Sequence, residues 1–143
     1  MNRVRVRIAT AHGILLTMDL AGANMDMLSL PELVSVTGNC EFVTGNHDAS
    51  IGAIQVPKLA SIAGTLTIRG QEHGYENNRM TNLDGFSALT SVQGVTVQHN
   101  YALVDYTGLK HVIGGITGGK WQVSDNGYNP TYQDMVDGKF VKP

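Results

Sequence analysis

The residues best suited to chemistry in this chain are its five histidines, its single cysteine and a short run of acids. His12, His47, His73, His99 and His111 fall in no H-x-x-x-H or C-x-x-C spacing, so no local segment supplies the paired ligands from which a metal site is usually built. The densest grouping is Glu72, His73, Tyr75 and Glu76, inside the polar stretch from Gly70 to Arg79. A carboxylate beside an imidazole could move protons. Catalysis needs such groups held to within about 0.5 Å of their working geometry, and a solvated loop does not hold them so. They read as a contact surface instead. Cys40 has no second cysteine to join, so it reads as a small buried apolar residue.

Three further patterns invite a chemical reading and favour a plainer one. Gly114-Gly115-Ile116-Thr117-Gly118-Gly119 suggests a phosphate cradle, but it lacks both the Lys-Ser/Thr of a P-loop and the dinucleotide spacing. It reads as a flexible insertion between a coil and a strand. Asn129-Pro130-Thr131-Tyr132 fits an N-P-x-Y docking pattern and equally an Asn-Pro turn, the simpler reading. Thr65, Thr67, Thr96 and Gln98 hint at a regular threonine-type array for ice or sugar, which Glu41, Arg69 and Lys120 interrupt. Threonine is also what a solvated strand favours. With no cluster of acids and bases on one face, the expectation is a chain that is not an enzyme and takes no cofactor or metal.

The elements that position these residues follow from composition and repeat. A chain of 143 residues fits one domain, and its 17 glycines exceed the average usage of roughly 7%, which marks it as rich in turns. The net charge of -2 gives no electrostatic support for nucleic-acid binding. The charge is uneven, because Arg3, Arg5 and Arg7 are three of the ten basic residues, leaving seven basic against twelve acidic residues beyond them. No run approaches the roughly 20 apolar residues needed to cross a bilayer. Met1 to Arg7, Ile8 to Met18 and Ala21-Gly22-Ala23 have the outline of a secretory leader, but His12 and Asp19 break or border the apolar run. Arginines alternating with Val4, Val6 and Ile8 read better as a half-exposed strand.

Four segments share one pattern of apolar residues at every third position before a glycine. They are Met27, Leu30, Leu33, Val36 to Gly38; Ala53, Val56, Leu59, Ile62 to Gly64; Leu83, Phe86, Leu89, Val92 to Gly94; and Leu103, Tyr106, Leu109, Val112 to Gly114. A strict period of three drifts around a 3.6-residue helix, so this is not helical periodicity. After each glycine an alternating run follows: Cys40 and Phe42, Leu66 and Ile68, Val95 and Val97, Trp121 and Val123. Each is a strand with one buried and one wet face, ended by Gly or Asn at Gly45-Asn46, Gly70, Asn100 and Asn126-Gly127, where φ > 0 is tolerated. Units that cannot bury their apolar residues alone must stack.

The expected fold is therefore mainly β, a parallel β-helix-like or leucine-rich-repeat solenoid of about four to five coils. One domain spans 1–143, with 1–23 a degenerate N-terminal capping coil, 24–126 the repeats and 127–143 a C-terminal cap. Tyr128, Tyr132, Met135 and Val136 are expected to cover the last coil, and the 70–79 stretch to bulge from the side.

Leu33-Val-Ser-Val-Thr-Gly38, Leu59-Ala-Ser-Ile-Ala-Gly64 and Leu89-Thr-Ser-Val-Gln-Gly94 with their following strands resemble the receptor L-domain type of leucine-rich repeat, over roughly residues 27–126. That family includes the ligand-binding domains of growth-factor receptors and repeat adhesins and cell-wall proteins. The resemblance implies a right-handed solenoid, no catalysis, an extracellular or cell-surface location, and a role in binding protein partners. The chain departs from the receptors in lacking flanking cysteines, and no asparagine sits in a usable N-x-Ser/Thr sequon. An accessory subunit docked into a large, membrane-bound or organellar assembly is the alternative, and a carbohydrate-binding or carbohydrate-active β-helix a further one. Candidate partner contacts are Glu41, Arg69, Gln98 and Lys120 on the strands and Glu72, His73, Tyr75 and Glu76 in the loop.

Overall fold

Short alternating and period-three segments cannot fold alone, and the computed structural model shows what they stack into. It describes residues 3–17, 24–46, 49–73 and 76–143. The first turn passes through strands β1 (Arg3–Arg5), β2 (Thr10–Ala11) and β3 (Ile14–Thr17). The second runs through β4 (Met27–Ser29), β5 (Ser35–Val36) and β6 (Cys40–Val43), and a small hairpin of β7 (Gly45–Asn46) and β8 (Ala49–Ser50) sits at the corner after it. The third has β9 (Ile54–Gln55), β10 (Ser61–Ile62) and β11 (Thr65–Arg69). Later turns keep β12 (Gly94–Gln98) and β13 (Trp121–Ser124), with 3-10 turns at Asp84–Phe86 and Thr107–Leu109 replacing the first strand.

Strands one turn apart pair in parallel and make three sheets: β1-β4-β9, β2-β5-β10, and a five-stranded sheet β3-β6-β11-β12-β13. The chain is a β-solenoid of about four turns, as the repeat implied. Its register runs Ile14 to Cys40, Cys40 to Leu66, Leu66 to Val95 and Val95 to Trp121, repeats of 26, 26, 29 and 26 residues. Spacing by glycine misled at the end. Gly94 lies inside its strand opposite Thr65, and the turn that begins near Gly114 continues through 3-10 turns at Ile113–Gly115 and Gly118–Lys120 before β13 starts. The glycine-rich stretch is part of a turn of normal length, not an insertion.

Inward residues form continuous columns. Cys40, Phe42, Leu66, Ile68, Val95 and Val97 are fully buried, as are Leu30, Leu33, Val56, Leu59, Phe86, Leu89, Tyr106 and Leu109 from the period-three segments. Phe42 and Phe86 meet edge to face at 5.9 Å, a contact that fixes the stacking of turns beyond its apolar area. Met27 and Ala53 do not fill the first inward position. There the backbone is a strand, so the alternation puts Leu28 and Ile54, which pair with each other, into the core.

A second column, of polar side chains, runs up the corner after the five-stranded sheet. Thr44, Asn77 and Asn100 are all 0% exposed. The Thr44 hydroxyl donates to Asn100 Oδ1 at 2.7 Å, and Asn100 Nδ2 donates to the carbonyls of Gln98 at 2.8 Å and Ile68 at 3.2 Å. Asn77 Nδ2 serves the carbonyls of Thr44 and Ile51, and Asn126 Nδ2 that of Val97. Asn100 and Asn126 are thus not the left-handed residues of their turns. His99 at φ 56° and Asp125 at φ 58°, one position earlier, take that role, and so does His73 at φ 64°. Turning left-handed there lets the asparagine point inward and satisfy carbonyls of its own and the preceding turn.

The C-terminal end is closed by α1 (Tyr132–Val136) and its flanks. Met135 is buried, and Tyr128, Tyr132 and Phe140 pack against the core. Val136 instead faces outward at 51% exposure, since a single helical turn buries one side only. Trp121 Nε1 donates to Pro130 O at 2.8 Å, the Tyr106 hydroxyl to Tyr128 O at 3.0 Å, and the Tyr132 hydroxyl to Ile116 O at 2.9 Å. The Asn129-Pro130-Thr131-Tyr132 motif is built into this cap.

Thr131 and Asp134 form a reciprocal capping box, each side chain accepting from the other's backbone N–H. Those bonds from Thr131, with Lys139 nearby, hold the Asp134 carboxyl below its ordinary 3.8. A group whose folded pKa is lowered stabilises fully above its unfolded value and stops doing so as pH falls through the folded one. Amide resonances of residues 131–136 are therefore expected to lose protection in an acid step below that ordinary value, ahead of the sheet. Asp134→Ala should abolish the step; a step that survives the substitution would refute the assignment.

The N-terminal end differs from a half-exposed strand. All three residues of β1 are exposed, because it is the outermost strand of its sheet. Residues 3–17 supply one strand to each sheet, so this segment forms a regular turn. Residues 18–23 of the expected N-terminal cap lie outside the described residues, as do His47, Gly74 and Tyr75.

Candidate functional site

The outward residues of the five-stranded sheet fall into rows set by the parallel register. Glu41, Thr67, Thr96 and Gln122 make one row, and Arg69, Gln98 and Ser124 the next, beside Val43, which is buried. Neighbouring strands lie about 4.8 Å apart, so each row is a closely spaced line of side chains. Arg69 Nε donates to Glu41 Oε1 diagonally across two strands, and Gln98 Nε2 to Ser124 Oγ at 3.4 Å. Glu41, Arg69 and Gln98, expected from the sequence to be contacts, are therefore brought together. Lys120 is not. It lies opposite Gly94, four residues and about 13 Å along the strand from the Gln98 row.

The strand ends of this face run directly into the corner that carries the loop residues. Glu72 and His73 are exposed there, and the Glu72 carboxylate lies between two imidazoles, 3.7 Å from His73 Nδ1 and 3.4 Å from His99 Nε2. His99 Nδ1 is buried without a hydrogen-bond partner among the described residues, and the ring's contact with Glu72 is on the Nε2 side. The Tyr101 hydroxyl donates to Glu76 Oε1 at 3.5 Å with the ring about half exposed. Partial desolvation, then the charges of Glu76, Asp125 and Glu72, push the Tyr101 phenol above its ordinary pKa. The excursion is shorter than the 70–79 stretch suggested. Asn77 returns to the buried wall, and Arg79 reaches back to Asp26 Oδ1 at 2.8 Å and the Met25 carbonyl at 3.1 Å.

Tyr101 and His99 were not found from the sequence. Their signal is the dipeptide His99-Asn100, whose asparagine recurs 26 residues on at Asp125-Asn126, one turn of the register. A residue preceding such an asparagine sits at the left-handed position of the corner.

The contacts at this corner are a hydrogen bond and close approaches of a carboxylate to two imidazoles. Among the described residues no group of three His, Cys, Asp or Glu side chains could hold a metal ion, and no helix is long and apolar enough to cross a membrane. Burial raises the Cys40 thiol to about 12, which keeps it protonated and unreactive at neutral pH. An open cleft of about 590 Å³ beneath the glycine-rich turn is lined by Ser91, Gln93, Thr117 and Lys120 with Val92 and Ile116. It has no aromatic ring in its wall. Comparison with models of known families, with curated proteins and with solved structures found no match to this chain.

Proposed function

We propose that the chain is a non-catalytic interaction module whose protein partner docks on the corner formed by Glu41, Arg69 and Gln98 of the sheet with Glu72, His73, Glu76 and Tyr101 beside them. The observation that carries this reading is the continuity of the surface. A rigid parallel sheet delivers polar side chains in register to an edge where an exposed tyrosine stands among three carboxylates. Tyrosine is among the side chains enriched at the anchors of protein interfaces, and the acids select a basic or cation-bearing partner. Binding of sugar rings by stacking has less support, since neither the cleft wall nor the outward rows of the sheet supply an aromatic face. The resemblance to receptor L domains supports a cell-surface setting. A permanent subunit of a larger assembly would use the same corner.

Cross-linking in native extract tests it. The wild-type protein is expected to capture a discrete partner, and Tyr101→Ala with Glu72→Lys to weaken capture by roughly thirtyfold, as loss of an anchor of about 2 kcal/mol would. Lys120→Glu, at the distant edge of the sheet, should leave capture unchanged. Capture unaffected by the corner substitutions, or turnover of a substrate by the purified protein, would overturn the reading.

A further inference from the structure

The N-terminal end of the solenoid offers a second surface, independent of the Tyr101 corner. Among the described residues strand β1 is paired on one side only, with β4, so its other edge has no strand beside it there. Val4 pairs with Leu28, a core residue, and so belongs to an inward column; yet Val4 is 38% exposed, as is Ile8. The core column ends there without cover from the described residues. Beside it lies a groove of about 380 Å³, walled mostly by apolar surface and lined by Arg3, Val4, Arg5, Met27, Ser29 and Pro31.

Charge says what fits there. Arg3, Arg5 and Arg7 form no ion pair among the described residues. Glu32, the acid that feels Arg5 and Arg7, is bonded to Lys58 instead. Arg3 and Arg5 are two residues apart on one strand, about 6.7 Å, the same spacing as alternate side chains of any extended chain laid alongside. The rest of the protein carries seven basic against twelve acidic residues, so a broad polyanion such as nucleic acid or an anionic bilayer would meet repulsion outside this edge.

We propose that this end captures an extended acidic peptide segment that adds a strand along β1. Alternate carboxylates of the segment face Arg3 and Arg5 on the side of the groove, and the intervening apolar side chains cover Val4 at the end of the core column. Arginines on a free edge also deter pairing between like chains, and that account predicts no ligand at all.

Fluorescence anisotropy with a labelled peptide of alternating Asp and Val separates the two. The full chain is expected to bind it saturably, less tightly as NaCl is raised, and about tenfold or more weakly after Arg3→Gln with Arg5→Gln. Those side chains are exposed, so circular dichroism melting should be unchanged. Ser29→Glu, which places a carboxylate in the groove while keeping both arginines, should weaken binding as well, whereas Tyr101→Ala should not. No saturable binding, equal binding by both arginine and Ser29 variants, or tighter binding of an oligonucleotide or of phosphatidylserine vesicles than of the peptide would overturn the proposal.

Discussion

Asn100→Ala is expected to destabilise the protein by about 3 kcal/mol and lower its Tm by roughly 10 °C. Asn100 is fully buried and accepts from the Thr44 hydroxyl while donating to two carbonyls, those of Gln98 and Ile68. Alanine removes all three bonds and leaves the Thr44 hydroxyl, from another turn, buried without the partner it had. The penalty of such a stranded group, about 1 to 3 kcal/mol, exceeds the net worth of the bond it lost. Chemical denaturation of the variant beside Asn78→Ala checks this, because Asn78 is exposed and has one long bond to the Glu76 carbonyl. Asn78→Ala should stay within about 0.5 kcal/mol of wild type. Equal losses for the two substitutions would mean that the buried polar column does not hold the turns.

Gly85→Ala is expected to cost more still, about 4 kcal/mol or above, and to appear as loss of soluble folded protein. The limit is set by backbone against backbone. A Cβ at Gly85 would overlap the Ile54 carbonyl oxygen of the preceding turn, which is backbone and has no rotamer by which to move aside. Gly108 stands in the same relation to the Leu83 carbonyl one turn on, so the two glycines let the 3-10 turns approach where earlier turns use strands. Gly115→Ala is the comparison, since nothing lies within 4 Å of a Cβ there. It should be neutral or slightly stabilising through the unfolded chain. A soluble Gly85→Ala protein with wild-type melting would show that adjacent turns can separate without cost.

The core was readable because each turn must fill the same inward positions, so Leu30, Leu33, Val36 and their counterparts announce themselves by type. Met27 and Ala53 show where that fails: period three and period two compete at the first strand, and pairing with the next turn decides for Leu28 and Ile54. Gly114 failed as a marker because glycine type does not reveal pairing, whereas Trp121 opposite Val95 does. At the candidate site Glu41, Arg69 and Gln98 followed from strand alternation alone. Lys120 was misplaced with the glycine it was counted from. Asn100 suggested a turn through its local conformational freedom. Its actual role, satisfying carbonyls one turn away, depends on residues distant in sequence such as Thr44 and Ile68.

The nearly constant repeat makes extent a separate variable from recognition. Because 26 residues return the chain to the same sheet, same face and same inward column, duplication of one complete turn would lengthen the molecule by about 4.8 Å while preserving every pairing at its two ends. The helical cap at one end and the basic edge at the other are then held apart by a count of turns. The solenoid is a ruler, graduated in strands, whose two end fittings need not change when its length does.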